Sequence, residues 1–328
     1  MTGRDGCLPA GSAAADGFDL LVTPESTDWG SWTYTSLRIR TLAAGEFRAV
    51  DSGDEELLVI PLAGSLLIDV GPERLDLAGR PDVFAGPTDV AYLPVRTTAS
   101  IGSGAGGRFA IAGARTTREL PLRRLAAADV PLEARGAGQA SRVVRNLGTV
   151  GVLDAGALIV CEVVTPAGNW SSYPAHKHDE AGEHESELEE IYYYEVAAGP
   201  DGQPGFGFHR TSTSPRGPID TLVEVHDRDT VLVPHGWHGP CVAAPGHDLY
   251  YLNVMAGPAA ERSWLITDHP DQAWIRSTWA EQEVDPRVLA ALHPPAERDQ
   301  PDQPAEPDQP DRPGEPDRPG ERVNEETS

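Results

Sequence analysis

Lysine is almost absent from this 328-residue chain: of 26 basic side chains only Lys177 is a lysine, and the rest are arginines. Set against 51 acidic residues, they leave a formal net charge of −25. A surface so short of cations argues against nucleic acid and anionic membrane as partners. Cysteine is sparse too. Cys7, Cys161 and Cys241 form an odd set without paired spacing, which argues against a disulfide framework. No apolar run approaches the roughly 20 residues that a bilayer-spanning helix requires. The amino terminus has an early Arg4 but no continuous apolar core of signal-peptide type, so a soluble cytoplasmic protein is expected. Histidine is missing from the first 175 residues, and all ten lie between His176 and His293. Neutral imidazole is the commonest metal ligand among side chains and a ready proton carrier near neutral pH. The chemistry is therefore expected in the second half.

The length suggests two domains, or one large one, with ample material for a core. Part of the low apolar content, 39%, belongs to the carboxyl-terminal segment. From Pro294 onward there are nine prolines, eleven acidic residues and four arginines. Such a segment buries too little apolar surface to offset its ordering entropy, so residues 294–328 are expected to be disordered. The rest reads as many short β segments punctuated by Gly, Pro and Asp. Examples are Leu57-Leu58-Val59-Ile60-Pro61-Leu62, Glu190-Ile191-Tyr192-Tyr193-Tyr194 and Leu249-Tyr250-Tyr251-Leu252-Asn253-Val254. Many such strands at short spacing favour an all-β sandwich or barrel. Helical periodicity is weak, with one short helix expected over 285–292. The two halves also echo each other. Asp89-Val90-Ala91-Tyr92-Leu93-Pro94 matches Asp229-Thr230-Val231-Leu232-Val233-Pro234, which predicts a duplicated barrel with a linker near 137–141.

His176 and His178 are two apart, so on a strand both imidazoles project from one face. His238, after a Pro-x-Gly turn, is placed to return beside them in an antiparallel barrel. A carboxylate would complete a three-histidine, one-glutamate site with positions left open. Glu183 and Glu190 compete for that place. Glu183 lies in a polar loop-like stretch, whereas Glu190 heads a strand in phase with Tyr192 and Tyr194. A rigid strand holds a ligand better, which favours Glu190.

Lys177 sits between two candidate ligands, which makes it a candidate substrate contact, although alternation points it away from them. Arg210, in Gly-Phe-Gly-Phe-His-Arg, is the better candidate for a carboxylate clamp, because a guanidinium suits bidentate recognition. Tyr192, Tyr194, Tyr251 and Asn253 are further candidates for the polar lining.

At these residues the sequence resembles the 5-deoxyglucuronate isomerases of myo-inositol catabolism. The motifs are Pro-Ala-His-Lys-His-Asp, Glu-Leu-Glu-Glu-Ile-Tyr-Tyr-Tyr, Gly-Phe-Gly-Phe-His-Arg, Val-Pro-His-Gly-Trp-His-Gly-Pro and Leu-Tyr-Tyr-Leu-Asn-Val-Met-Ala-Gly. The 4-deoxy-5-ketouronate isomerases of pectin breakdown belong to the same wider family. The resemblance implies an all-β bicupin, two double-stranded β-helix (jelly-roll) barrels; the disordered carboxyl-terminal tail expected from composition has no counterpart in it. Residues 1–17 would be a flexible amino terminus, 18–138 a barrel without a metal site, and 139–293 a metal-binding barrel. It implies metal ligation by His176, His178, Glu190 and His238, with Zn, Mn or Fe as the divalent ion. The expected partner is a small-molecule sugar acid, with homo-oligomerisation left open. The implied reaction is an aldose–ketose isomerisation, in which Tyr192, Tyr194 or a metal-bound hydroxide are the candidates for moving the carbon-bound proton, and a metal-assisted hydride shift would need no such base. A mononuclear metal cupin dioxygenase and a non-catalytic sugar-acid-binding cupin are the alternatives.

Overall fold

The computed structural model describes residues 6–27 and 32–293; the acidic, proline-rich tail lies outside the described residues. One strand order occurs twice. In the first half Val90–Leu93, the front of Glu55–Val70, Gly107–Arg115 and Thr35–Leu42 lie side by side, all antiparallel. In the second half Thr230–Val233, Glu189–Val196, Leu249–Ala256 and Ile159–Thr165 take the same order. The facing layer repeats as well. Glu73–Arg80, the back of Glu55–Val70, Thr98–Ser103 and Glu46–Asp51 match Gly217–Val225, Gly207–Ser214, Trp237–Ala243 and His176–Lys177. Each half is thus a two-layered jelly-roll barrel, and the chain is an all-β bicupin.

The echo seen in the sequence is kept in the register. Leu93 faces Leu57 across the ladder as Val233 faces Glu190. Thr98 faces Asp51 as His238 faces His176. Arg96 and Gly236, equivalent in this alignment, both have positive φ, 55° and 108°. In the first barrel, therefore, Asp51, Leu57 and Thr98 stand at the positions of His176, Glu190 and His238.

Why the central strands read as continuous apolar runs is explained by packing. The barrels pack back to back, so each central strand is buried on both faces. Leu57 and Val59 point into the first barrel, while Leu58 and Ile60 join the core between the barrels. Tyr192 and Tyr194 point into the second barrel, while Ile191 and Tyr193 join the shared core.

Polar groups on that shared face are paired across it. The Glu189 carboxylate accepts from the backbone amides of Thr33, Tyr34 and Thr35 at 2.6–2.9 Å. At the equivalent place in the first barrel, Glu56 accepts from the amides of Gly156, Ala157 and Leu158 at 2.6–2.8 Å. Glu162 is fully buried. It is ion-paired to Arg80 of the first barrel and to Arg145 at 3.3 Å, and it accepts from the Tyr250 hydroxyl at 2.8 Å.

Two expected boundaries shift. The amino-terminal segment is not free from residue 7, because Cys7–Leu8 pairs with Val231 and Thr230 and closes the open edge of that sheet. Leu132–Arg135, expected in the first barrel, instead pairs with Arg142–Asn146 in the second sheet. The expected helix forms at Pro286–Leu292, with the Asp285 carboxylate accepting from the Arg287 amide.

Burial alone would raise the pKa of Glu162, but Arg80 and Arg145 outweigh it and hold the carboxyl below the usual range. Removing one partner of such a network leaves uncompensated buried charge. Glu162→Ala is expected to lower unfolding free energy by about 3–5 kcal/mol in denaturant titration, since two buried guanidiniums lose their carboxylate.

Candidate functional site

Three histidine rings converge inside the second barrel. His176 and His238 face each other across the ladder between His176–Lys177 and Trp237–Ala243. The possible ligand atoms of His176, His178 and His238 all lie within 4.8 Å of one another, and the three side chains are buried. Backbone carbonyls fix their tautomers. His176 Nδ1 donates to Pro174 O at 3.3 Å, His178 Nδ1 to Leu188 O at 3.1 Å, and His238 Nδ1 to Gly236 O at 3.0 Å. A carbonyl can only accept, so each Nδ1 carries the hydrogen and Nε2 of the neutral ring keeps its lone pair.

Glu190 meets those lone pairs. Its Oε2 lies 3.1 Å from His178 Nε2 and 3.2 Å from His238 Nε2. The second contact lacks hydrogen-bond geometry, so His238 Nε2 is buried without a hydrogen-bond partner. Acceptor atoms crowded this way repel unless a proton or cation lies between them, so the residues present fit a divalent ion. Burial would raise the pKa of Glu190, yet His178 and His238 hold it well below the usual carboxylate range. Burial, then the neighbouring rings, pushes His176 far below its ordinary value. For His178 the Glu190 carboxylate outweighs burial and raises the pKa. Of the two competing glutamates, Glu190 is at the cluster, and Glu183 is exposed on a bend between strands.

Beside the cluster lies a cavity of about 190 Å³. His176, Glu190, Tyr192, Tyr251, Asn253 and Ser172 line it, together with Val144, Val163, Trp264 and Ile266. The remaining lining residues are three arginines, Arg135, Arg142 and Arg276. Arg135 is held by Glu133 at 2.8 Å and Arg276 by Asp268 at 2.7 Å. Arg142 is different. It is 5% exposed, bonds only to the carbonyls of Ala140 and Tyr173, and has no carboxylate partner among the described residues. Burial pulls its pKa down to about 10, and the neighbouring Arg135 and Arg276 add to the fall against an opposing pull from Tyr251.

Sequence reasoning brought together His176, His178, Glu190, His238, Tyr192, Tyr251 and Asn253, and the fold gathers them. It missed the arginines and Ser172. A signal was present in Arg142-Val143-Val144-Arg145, where two charges flank an apolar strand that is buried throughout those four positions. Three candidates lie elsewhere. Arg210 shares the outward phase of the exposed Phe208 and pairs with Asp220 on the neighbouring strand, while His209 and Thr211 take the inward phase. Tyr194 lies deeper in the barrel, its hydroxyl 2.6 Å from His209 Nδ1 and 3.2 Å from Cys241 Sγ.

Lys177 is buried against carboxylates instead of the cavity. Its Nζ donates to Asp179 at 2.9 Å, Glu180 at 2.8 Å and Glu185 at 2.7 Å, and these partners raise its pKa against the effect of burial. Asp179 in turn accepts from the Gly236 amide at 2.8 Å. The lone lysine therefore ties the His176–His178 segment to the turn that presents His238. A compact ammonium serves three convergent oxygens that a planar guanidinium does not match. Lys177→Met is expected to reduce unfolding free energy by roughly 3 kcal/mol in denaturant titration, because the acids lose their counter-charge. A raised KM at unchanged stability would instead mark Lys177 as a substrate contact.

No helix among the described residues is long and apolar enough to cross a membrane. Residues 8–275 match the model of the KduI/IolB family. A 5-deoxy-glucuronate isomerase of Geobacillus kaustophilus (strain HTA426) is 37% identical over 273 residues, which cover 82% of this chain and 94% of that protein. A solved IolB-like protein from Salmonella typhimurium LT2 superposes with TM-score 0.73 at 32% identity, covering 83% of this chain and 99% of that one. Oxalate decarboxylase of Lactobacillus farciminis, at 11% identity and TM-score 0.55 over 83% of this chain and 87% of its own, shares the bicupin fold alone. With a family match spanning most of its length, and with the three clustered histidines and Glu190 inside the matched span, this chain belongs to the KduI/IolB family.

Proposed function

We propose that this chain is an aldose–ketose isomerase that converts 5-deoxy-D-glucuronate to 5-dehydro-2-deoxy-D-gluconate in myo-inositol catabolism. One observation carries the reading. A single small cavity is lined both by Arg142, a buried cation without a carboxylate partner among the described residues, and by His176 and Glu190 of the histidine–glutamate cluster. The substrate has matching ends: a carboxylate, and an aldehyde beside a hydroxyl-bearing carbon. The named activity of the Geobacillus relative supports the same substrate.

His176, His178, Glu190 and His238 would hold a divalent ion, Zn, Mn or Fe. Such an ion supplies Lewis-acid polarisation of the carbonyl. Arg142 binds the distant carboxylate by charge-assisted hydrogen bonds, and Arg135 and Arg276 reinforce the positive potential there. This fixes the reacting end against the cluster and lowers the entropic cost of reaction. Burial first, and then Glu190, pushes the pKa of Tyr192 far above its usual value. Its phenol is therefore neutral near pH 7 and acts as a proton donor to substrate oxygen, not as a ready base. Trp264 and Ile266 help to keep water from the cavity.

Proton NMR of 5-deoxy-D-glucuronate with the protein, with and without chelator, tests the reading directly. Chelator-sensitive appearance of the ketone is expected, and no conversion by metal-loaded protein would overturn it. His238→Ala is expected to abolish turnover, and to remove the upward shift in thermal midpoint that added Zn or Mn gives the wild type. Arg142→Met is expected to raise KM by roughly tenfold to a hundredfold, the loss of a charge-assisted contact. Arg210→Ala should leave KM within about twofold, since surface ion pairs contribute little.

A further inference from the structure

Ser172 lines the cavity, is 7% exposed, and stands between two phenols. Its Oγ lies 3.3 Å from the Tyr192 hydroxyl and 3.1 Å from the Tyr251 hydroxyl. The backbone there is unusual. Ser172 has φ +46°, a left-handed conformation that favours glycine, and the other described non-glycine residues with positive φ, Asp16, Arg96 and Arg228, do not line this cavity. Such a conformation carries of order 1 kcal/mol or more of strain and persists only where its surroundings enforce it.

Gly239 enforces it. A Cβ on Gly239 would lie 1.8 Å from the Ser172 carbonyl oxygen, so only glycine lets the strand bearing His238 approach so closely. A strained serine pressed against the residue next to His238, with its hydroxyl touching two phenols, is more than a packing solution. Alanine or glycine would fill the same space.

We propose that Tyr192, Ser172 and Tyr251 form a hydroxyl relay that carries a proton from the reacting hydroxyl of the substrate to the neighbouring carbonyl oxygen, with Ser172 as its middle member. The proposal rests on the isomerase reading above and supplies what that reading leaves open. Aldose–ketose exchange removes one proton from oxygen and adds one to the oxygen on the adjacent carbon. One terminal phenol gives its proton to the carbonyl oxygen as that oxygen becomes a hydroxyl. Ser172 passes its proton to that phenol and receives one from the other phenol. The second phenol takes the proton released by the substrate hydroxyl as its carbon becomes the ketone. Each relay oxygen loses one proton and gains one, so no charge remains on the protein. The carbon-bound hydrogen moves separately, and the relay is required whether it travels as a proton or with its electron pair. Hydrogen bonds of 3.1–3.3 Å are long for hydroxyl pairs, and substrate binding commonly tightens such contacts.

The test compares wild type, Ser172→Gly, Tyr251→Phe and the double variant. Ser172→Gly removes the hydroxyl while suiting the left-handed backbone, so its thermal midpoint is expected to stay level or rise. Each single variant should lower kcat by about a hundredfold, the usual range for losing a positioned proton donor. Calorimetric affinity for the sugar acid should stay within about twofold, because the carboxylate contacts are untouched. The double variant should be no slower than either single one, since both break the same chain. The kcat ratio between H2O and D2O should shrink in the variants. An unimpaired kcat in folded Ser172→Gly, or additive losses in the double variant, would overturn the relay while leaving the isomerase reading standing. If wild type fails to convert the sugar acid, that reading falls and the relay falls with it. Should Ser172→Gly not fold, Ser172→Ala against Tyr251→Phe makes the same comparison.

Discussion

Everything distinctive in the second barrel depends on one constraint: its central strand, Glu189–Val196, is buried on both faces. A strand has a period of two, so every residue is committed either to the barrel interior or to the core between the barrels. Glu190, Tyr192 and Tyr194 go inward; Glu189, Ile191 and Tyr193 go outward. Neither face exposes a carboxylate to bulk solvent. Glu189 is satisfied by three backbone amides of the other barrel, and Glu190 lies against the imidazoles. A slip of one residue would exchange these two carboxylates and destroy both arrangements. The amide contacts of Glu189 therefore fix the register on which the cluster depends.

Duplication makes the same point from the other side. Glu56 repeats the role of Glu189, so the reciprocal tie between barrels exists in both copies. The next position does not repeat, since Leu57 stands where Glu190 stands. With Asp51 and Thr98 in place of His176 and His238, the first barrel has no convergent imidazoles and fills its interior with Val59, Leu66, Ile68 and Ile111. Its interior packs as a core, whereas the second keeps a cavity. A barrel that carries a polar cavity loses apolar burial, and the first barrel offsets this through the core that the two share.

What the sequence reveals follows from which features have a period. His176, His178, Glu190 and His238 were legible because strand alternation and a turn place them without knowledge of the rest. The duplicated barrels were legible from one echoed segment. Arg210 shows the limit. Chemistry alone favoured it, but alternation from the inward His209 already sent it outward, and phase decides before residue type. Lys177 shows another limit, since its three carboxylates converge through loop geometry that no period encodes. Arg135, Arg142 and Arg276 come from separate strands and a late helix, so their meeting depends on tertiary structure.

A net charge of −25 looks at odds with the proposed anionic substrate until distances are considered. Exposed charges are screened over about 8–10 Å at physiological ionic strength, so the remote acidic surface contributes little inside the cavity. The local balance is what a ligand meets. Two of the three cavity arginines already have carboxylates, which leaves Arg142 as the surplus positive charge. Burial is the first cause of the lowered pKa of Arg142, and repulsion from Arg135 and Arg276 adds to it. The carboxylate of the proposed substrate would relieve that repulsion on binding. Arginine suits this role better than lysine, because a delocalised, weakly hydrated cation tolerates burial without losing its proton. The lone lysine is kept where its charge is met by carboxylates.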